Sequence, residues 1–222
     1  MSPGPASVAF LFDVDNTLLD NDRVKGDLVT AIESLVGAER GRRFWELYEE
    51  VRHECDYVDF PRALERFTRE FPDEPGFPTV ADAVLSYPYR SAAFPGVHDV
   101  LRHAASVGSV AILSDGDPVY QPAKIARAGF TDVIDGPVLV FAHKEDHLEE
   151  ILRRVPAERY VLIDDKPRIL ATIRDRLGDQ VVTLHVCQGK HAHAEEHAKY
   201  PDADRTVDKI ADILDLDLTT LQ

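Results

Sequence analysis

The sequence predicts an α/β protein, in which a parallel, Rossmann-like sheet carries a helical segment inserted after its first strand. Two observations support this prediction. From residue 94 onward, short apolar runs alternate with amphipathic helical patterns, an order typical of βαβ units. Between residues 20 and 91, apolar residues recur at helical spacing and no convincing strand pattern occurs.

The first predicted strand is Val8–Phe12. A short, continuously apolar run with β-branched and aromatic members is typical of a strand buried on both faces. It ends at the polar residues Asp13, Asp15 and Thr17. Open α/β sheets bind their ligands at the carboxyl ends of the strands, so this segment is the first candidate site.

The helical segment divides the predicted core in two. We expect a discontinuous catalytic core, residues 1–19 and 92–222, and a helical cap, residues 20–91. A segment inserted at this point can close over the strand ends and exclude water from a site there.

Four further apolar runs predict strands at 110–113, 138–141, 161–163 and 181–186, with helical patterns between them. Polar residues again follow strand ends: Ser114, Lys144, Asp164 and Asp165. Because parallel strands point the same way, these side chains and those after the first strand should meet at one edge of the sheet.

The residue types at this edge suggest a chemistry. Gathered carboxylates repel one another, and a hard cation such as Mg²⁺, which prefers oxygen ligands, relieves the repulsion. An ionised Asp can act as a nucleophile, and a second Asp can act as general acid and base. Ser and Lys can hold the oxygens of a transferring phosphoryl group.

The charge balance restricts the possible partners. The chain has 25 Lys and Arg against 40 Asp and Glu, a net charge of −15. Such a chain repels nucleic acids and anionic membrane surfaces, so we expect neither as a partner. A small anionic substrate would need a local positive centre, which a metal ion and a lysine supply. Two cysteines and no apparent leader segment predict a cytoplasmic protein, whose oligomeric state the sequence leaves open.

These motifs resemble those of the haloacid dehalogenase (HAD) superfamily. Residues 12–18, FDVDNTL, resemble the first motif, D-x-D-x-T-[LV], and residues 113–116, LSDG, resemble the second. Lys144 corresponds to the third-motif lysine, and Asp164 with Asp165 to the acidic fourth motif. The insert after the first motif resembles the C1-type helical cap of this superfamily.

The resemblance implies a role for each residue. Asp13 would be the nucleophile, Asp15 the general acid and base, and Thr17 would order the first loop. Ser114, Asp115, Gly116 and Lys144 would bind the substrate phosphate, and Lys144 would also stabilise the Asp13 charge. Mg²⁺ would be held by Asp13, the backbone carbonyl of Asp15, and Asp164 with or without Asp165.

Two positions depart from the family pattern: Asp115 in the second motif, and Glu145 after Lys144, where Pro is common. Asp115 stands where Asn is more common, which places an extra carboxylate near the phosphate site. Lys124 is a rival for the third-motif role; we favour Lys144 because Lys124 lies within a helix pattern. Separately, His191, His193 and His197 suggest a metal site, although their polar surroundings favour a surface loop.

The function expected from the resemblance is a Mg²⁺-dependent phosphatase acting on a small phosphorylated substrate. The alternatives are a phosphotransferase or phosphomutase of the same fold, then a 2-haloacid dehalogenase, and finally a non-catalytic binding protein. Asp15 disfavours the dehalogenase, because dehalogenases of this superfamily lack an Asp at that position.

Overall fold

A computed structural model of the chain describes residues 6–190 and 198–221. Within these ranges six strands form one parallel sheet in the order β3-β2-β1-β4-β5-β6, which confirms the predicted fold class. The strands are β1 (Ala6–Phe12), β2 (Ser109–Asp115), β3 (Val138–Phe141), β4 (Ala157–Asp164), β5 (Val181–Val186) and β6 (Arg205–Val207). Sequence analysis missed β6, because it is only three residues long and two of them are polar and exposed.

The first strand lies in the middle of the sheet. Phe10 of β1 is in register with Val110 of β2 on one side and with Val161 of β4 on the other. The Phe10 side chain joins the apolar core on one face of the sheet, and that of Leu11 joins the core on the opposite face. Both faces are buried, which is why the strand is apolar at successive positions.

Four helices cover this sheet: α4 (Val97–Val107), α5 (Tyr120–Arg127), α6 (Leu148–Arg154) and α7 (Pro167–Leu177). Val100 of α4 and Ile125 of α5 pack in the core on the Phe10 face. Ile151 of α6 and Ile169 of α7 pack on the opposite face. Because the strands are parallel and the helices cover both faces of the sheet, the carboxyl ends of the strands lie together at one open edge.

The inserted segment is helical, as predicted. It contains α1 (Asn21–Cys55), α2 (Phe60–Glu70) and α3 (Phe77–Leu85). α1 is interrupted at Gly37, whose φ of 81° lies in the left-handed region that glycine adopts without strain. Phe60 of α2 packs against Tyr120 of α5, with ring centroids 5.5 Å apart, so the insert and the sheet domain share apolar contacts. The boundaries at residues 20 and 91 stay a prediction.

The two chain connections between the insert and the sheet domain lie side by side, and we call them the neck (residues 18–20 and 92–94). The Asp20 N–H donates to the Ala92 carbonyl at 2.9 Å, and the Phe94 N–H donates to the Leu18 carbonyl at 3.0 Å. Leu19 and Ala93 form an antiparallel bridge between these bonds. The chain therefore leaves the core and re-enters it at almost the same point.

The described ranges also bear on membrane-spanning helices and on the three histidines of the polar segment. No helix within them has both the length and the apolar character needed to cross a bilayer. His191, His193 and His197 lie outside the described residues, so a metal site on them stays a hypothesis.

Candidate active site

The loop after β1 turns tightly and holds Asp13 at the open edge of the sheet. The Asp13 N–H donates to the Ile163 carbonyl of β4 at 2.9 Å, and the Leu18 N–H donates to the Val14 carbonyl at 2.9 Å. Asn16 has a φ of 64°, a left-handed conformation that Asn tolerates better than most residues. Asp13 is 1% exposed, so its carboxylate lies within the fold.

Three buried carboxylates meet where the sequence predicts a metal site. Oxygens of Asp13, Asp164 and Asp165 all lie within 4.8 Å of one another, and none of the three residues is more than 1% exposed. Carboxylates this close repel one another strongly when water is excluded. We call these residues the acidic cluster; they need neighbouring cations to remain ionised together.

Lys144 supplies one such cation. Its Nζ lies 2.5 Å from Asp13 Oδ1 and 2.6 Å from Asp164 Oδ2, and it donates to the Leu113 carbonyl at 3.2 Å. Burial alone would lower the pKa of Lys144, but the Asp13 and Asp164 carboxylates outweigh it and raise that pKa well above its usual range. Lys144 is therefore a charged ammonium surrounded by three protein oxygens.

One ammonium does not neutralise three carboxylates. Within the described residues, Asp13 Oδ2 and both carboxylate oxygens of Asp165 are buried without a hydrogen-bond donor. Burial raises the pKa of Asp13 to about 6 despite Lys144. Burial, together with the Asp164 and Asp13 charges, raises the pKa of Asp165 to about 9. Buried oxygens without donors are the ligand set that Mg²⁺ prefers, so the residues present fit a divalent metal ion.

The Asp15 carboxylate stands apart from the acidic cluster. Its side chain is 27% exposed and forms an ion pair with Lys124, which is 6% exposed. Gln121 Nε2 donates to Asp15 Oδ2 at 3.0 Å. Burial would raise the pKa of Asp15, but Lys124 and these hydrogen bonds outweigh it and lower that pKa. The Asp15 carboxylate is thus held by two side chains of α5.

The two candidate lysines pair with different aspartates. Lys144 contacts Asp13 and Lys124 contacts Asp15, so both belong to this site. Sequence analysis treated them as rivals and missed Gln121. The signal was present, because Gln121 and Lys124 are three residues apart and share one face of α5.

The segment after β2 is bound to the same network. Ser114 Oγ accepts a hydrogen bond from Gln121 Nε2 at 2.9 Å. Gly116 has a φ of 154°, and a Cβ at this position would lie 3.1 Å from side-chain atoms of Gln121. The Gly116 N–H donates to the Phe141 carbonyl of β3 at 2.8 Å. Gly116 therefore lets the chain pass close to the side chain that links Ser114 to Asp15.

The extra carboxylate of Asp115 is compensated within the site. Its Oδ1 accepts a hydrogen bond from the Lys144 backbone N–H at 2.9 Å, and its Oδ2 lies 3.8 Å from Lys166 Nζ. Burial alone would lower the pKa of Lys166, but the Asp13 and Asp164 charges raise it. Lys166, which follows the fourth motif directly, was not singled out by the sequence analysis.

Thr17 belongs to the same loop, and its ordering role stays a prediction. It is fully buried, its N–H donates to the Val14 carbonyl at 3.2 Å, and its carbonyl accepts from Gln188 Nε2 at 2.7 Å. The bond from Gln188 connects the first loop to the segment that follows β5.

A cavity of about 310 Å³ opens between helices α1 and α2 of the insert and the residues Asp15, Asp115 and Lys166 of the sheet domain. Aromatic side chains, including Tyr48, Phe60 and Tyr120, form part of its wall. Six basic residues and five aspartates also line it: Lys25, Arg52, Lys124, Lys166, Arg168 and Lys190, with Asp15, Asp22, Asp56, Asp115 and Asp165. The cavity thus has a balanced or slightly positive lining in a strongly acidic protein.

The fold and the acidic cluster together define a class of α/β proteins. In this class a candidate catalytic Asp follows the central strand, and a helical insert lies above it. A family model for haloacid dehalogenase-like hydrolases matches residues 8–175. The chain therefore belongs to the haloacid dehalogenase-like hydrolases, which confirms the resemblance drawn from its motifs.

Solved structures agree with this assignment. A protein described as a haloacid dehalogenase-like hydrolase, from Burkholderia xenovorans LB400, is 39% identical to this chain; the match covers 99% of this chain and 100% of that one, with a TM-score of 0.89. An L-2-haloacid dehalogenase from Xanthobacter autotrophicus is 21% identical, with 92% and 96% covered and a TM-score of 0.58. The second likeness shows the fold alone. Among curated proteins, none matches the chain.

Proposed function

We propose that the protein is a Mg²⁺-dependent phosphomonoester hydrolase that acts on a small phosphorylated metabolite through an aspartyl-phosphate. The observation that carries this proposal is the pairing of two aspartates two residues apart in different surroundings. Asp13 lies in the acidic cluster beside Lys144, whereas Asp15 lines the cavity. Two carboxylates with separate environments suit separate roles as nucleophile and as acid and base.

The acidic cluster would hold the metal ion. Its carboxylates, Asp13, Asp164 and Asp165, have buried oxygens that lack donors within the described ranges, and the backbone carbonyl of Asp15 would add a ligand. A bound Mg²⁺ would neutralise charge at the phosphoryl oxygens.

In the first half-reaction, a carboxylate oxygen of Asp13 attacks phosphorus. The bond from phosphorus to the leaving-group oxygen breaks, and that oxygen takes the electron pair together with the proton of protonated Asp15. Because Lys124 lowers the pKa of Asp15, Asp15 must take up this proton before the step. Lys144, in contact with Asp13 Oδ1, favours the ionised nucleophile. Lys124 and Gln121 hold the two oxygens of Asp15 in place.

In the second half-reaction, the Asp15 carboxylate removes a proton from a water molecule as that water attacks phosphorus. The bond between phosphorus and the Asp13 oxygen breaks, inorganic phosphate leaves, and Asp13 is again a carboxylate. The same residue thus acts as acid and then as base, as two-step transfer requires.

The cavity supports a small anionic substrate. Its six basic residues offset its five aspartates, although the whole chain carries a charge of −15. A volume of about 310 Å³ is at the small end of the range for ligand sites. The aromatic wall formed by Tyr48 and Phe60 would contact the leaving group.

The test is hydrolysis of p-nitrophenyl phosphate by the purified protein, with Mg²⁺ or with EDTA, beside Asp13→Asn. We expect turnover that needs both Mg²⁺ and Asp13, with a loss of about 10⁴-fold or more in the variant, as for other nucleophile deletions. Asn is nearly isosteric with Asp, so an unchanged circular dichroism spectrum serves as the control for folding.

Other outcomes would point to the alternatives. Full activity of Asp13→Asn would remove the nucleophile assignment. Absence of phosphate release, together with halide release from 2-chloropropionate, would replace the phosphatase by a dehalogenase. Transfer of the phosphoryl group to an added alcohol in preference to water would favour a phosphotransferase or phosphomutase, and no turnover of any substrate a binding protein.

A further inference from the structure

A second cavity lies at the opposite end of the sheet from the acidic cluster, and we call it the amino-end cavity. Its lining includes Arg159, Val182 and Arg205, which stand near the amino ends of β4, β5 and β6. Asp164 ends β4, and it lies about 17 Å along the strand from Arg159 at the usual rise per residue. The amino-end cavity is therefore separate from the candidate active site. Its volume of about 420 Å³ is within the range for small-ligand sites.

The charged residues of this lining are three arginines and two aspartates: Arg159, Arg174, Arg205, Asp179 and Asp204. One pair among them is built into the fold. Arg174 Nη1 donates to Asp204 Oδ2 at 2.8 Å and to the Val181 carbonyl at 2.5 Å. Asp204 Oδ2 also accepts from the N–H and the hydroxyl of Thr183, at 2.8 and 2.9 Å. Asp204 is thus committed to Arg174 and β5, and its charge is already matched.

The other two arginines have no such partner. Arg159 is half-buried, and its Nε is buried without an acceptor in the described ranges. Arg205 is exposed, and its Nη1 donates to the Asp204 backbone carbonyl at 2.7 Å. Neither guanidinium forms an ion pair with a carboxylate of the described residues. In a chain with 40 Asp and Glu against 25 Lys and Arg, two arginines without carboxylates at one cavity form a local positive centre.

The chemistry of the guanidinium group indicates the ligand. Its planar fork of N–H donors matches two oxygens of one carboxylate or phosphate group, so two forks match two anionic groups. The exposed Asp179 carboxylate is the one acidic group of this lining that no described residue pairs with, and it would oppose the anion weakly.

We propose that the amino-end cavity binds a small molecule with two anionic groups, carboxylates or phosphates, and that Arg159 and Arg205 each hold one of them. The occupant would supply the acceptors that both guanidinium groups lack. This inference goes beyond the proposed function and does not depend on it.

The test is isothermal titration calorimetry of the full chain with pyrophosphate, malonate and acetate. No metal is added, because the acidic cluster without a cation repels anions from the candidate active site. We expect the two doubly anionic probes to bind at least about 10-fold more tightly than acetate, which offers one carboxylate. The tighter of pyrophosphate and malonate identifies the anionic group that the site prefers.

Three variants locate the binding. Arg159→Gln and Arg205→Gln should each raise Kd by about 10- to 100-fold, the range for losing a charge-assisted hydrogen bond. Asp179→Asn should lower Kd by about two- to fivefold, because it removes a repelling surface charge. Arg205 is exposed, so its variant should fold even if Arg159→Gln does not.

Two controls separate this site from others. Arg153→Gln is the matched control, because Arg153 is exposed and outside the cavity lining. Arg52→Gln removes a basic residue of the candidate active-site cavity instead. Neither control should change Kd. Unchanged binding in Arg205→Gln, or a loss confined to Arg52→Gln, would overturn the proposal. So would the absence of binding by both doubly anionic probes at about 10 mM, and none of these results would affect the proposed function.

Discussion

Two groups of charged residues in the described part of this molecule are arranged in opposite ways. On the exposed face of the helical insert, Arg43 lies within 3.2 Å of Glu46, Glu50 and Glu70, whose side chains are 38–52% exposed. At the open edge of the sheet, the acidic cluster and Lys144 are buried and short of positive charge.

The difference shows that the number of ion pairs in a region does not measure how much they contribute to the free energy of unfolding. Water solvates the insert pairs whether or not they form, so each contributes about 0–1 kcal/mol. The acidic cluster has no such alternative, so breaking one of its pairs leaves a buried charge without compensation. The acidic cluster is thus the destabilising arrangement of the two. It is also the one suited to a candidate active site, since nucleophiles and metal ligands need electron pairs that no donor occupies.

The largest expected effect on stability is that of Lys144→Met. Removing the ammonium leaves Asp13 and Asp164 facing each other without their common partner. We expect a loss of about 3–5 kcal/mol in the free energy of unfolding, measured by urea denaturation without added metal. Adding Asp13→Asn to this variant should recover part of the loss, because it removes one of the repelling charges. A loss below about 1 kcal/mol would place this cluster in the same class as the surface pairs.

Asp15→Asn should have an intermediate effect, expressed in rate. Asp15 is partly exposed and paired with Lys124, so its removal leaves less uncompensated charge than that of Lys144. We expect hydrolysis to slow by about 10²–10⁴-fold for esters with poor leaving groups. The loss should be smaller for p-nitrophenyl phosphate, whose leaving group needs little protonation. Equal losses for both esters would argue against the general-acid role.

The smallest expected effect is that of Arg43→Gln. This change breaks three ion pairs at once, yet it should cost less than about 1 kcal/mol in unfolding free energy. The loss should shrink further in about 1 M NaCl, where the Debye length is only about 3 Å. A loss as large as that in Lys144→Met, persisting in salt, would contradict the comparison between the two regions.

The parts that depend on local pattern could be predicted from the sequence. The strand at 181–186 has the same bounds in the structure, because its apolar run reports directly on burial. The positions of Asp13, Ser114, Lys144 and Asp164 follow from strand ends, and the structure brings all four to one edge. Their catalytic and binding roles stay predictions.

What the sequence could not supply is the choice of partner for each charge. Lys124 is 109 residues from Asp15, and Lys166 is 51 residues from Asp115, yet each pair meets in the fold. These pairings depend on how α5 and the start of α7 face the loops after β1 and β2. Local propensity contains no information on that point, which is why Asp115 looked unfavourable until its partner was visible.

The neck has a consequence for how such a protein can change over evolution. Because its two chain connections are hydrogen-bonded side by side, the two ends of the helical insert lie next to each other. Lengthening, shortening or replacing the insert therefore adds little loop-closure entropy, which grows only slowly with loop length. The sheet that holds the candidate catalytic aspartates is spared from such changes. The helices above the neck can therefore be exchanged while the acidic cluster below it is inherited intact.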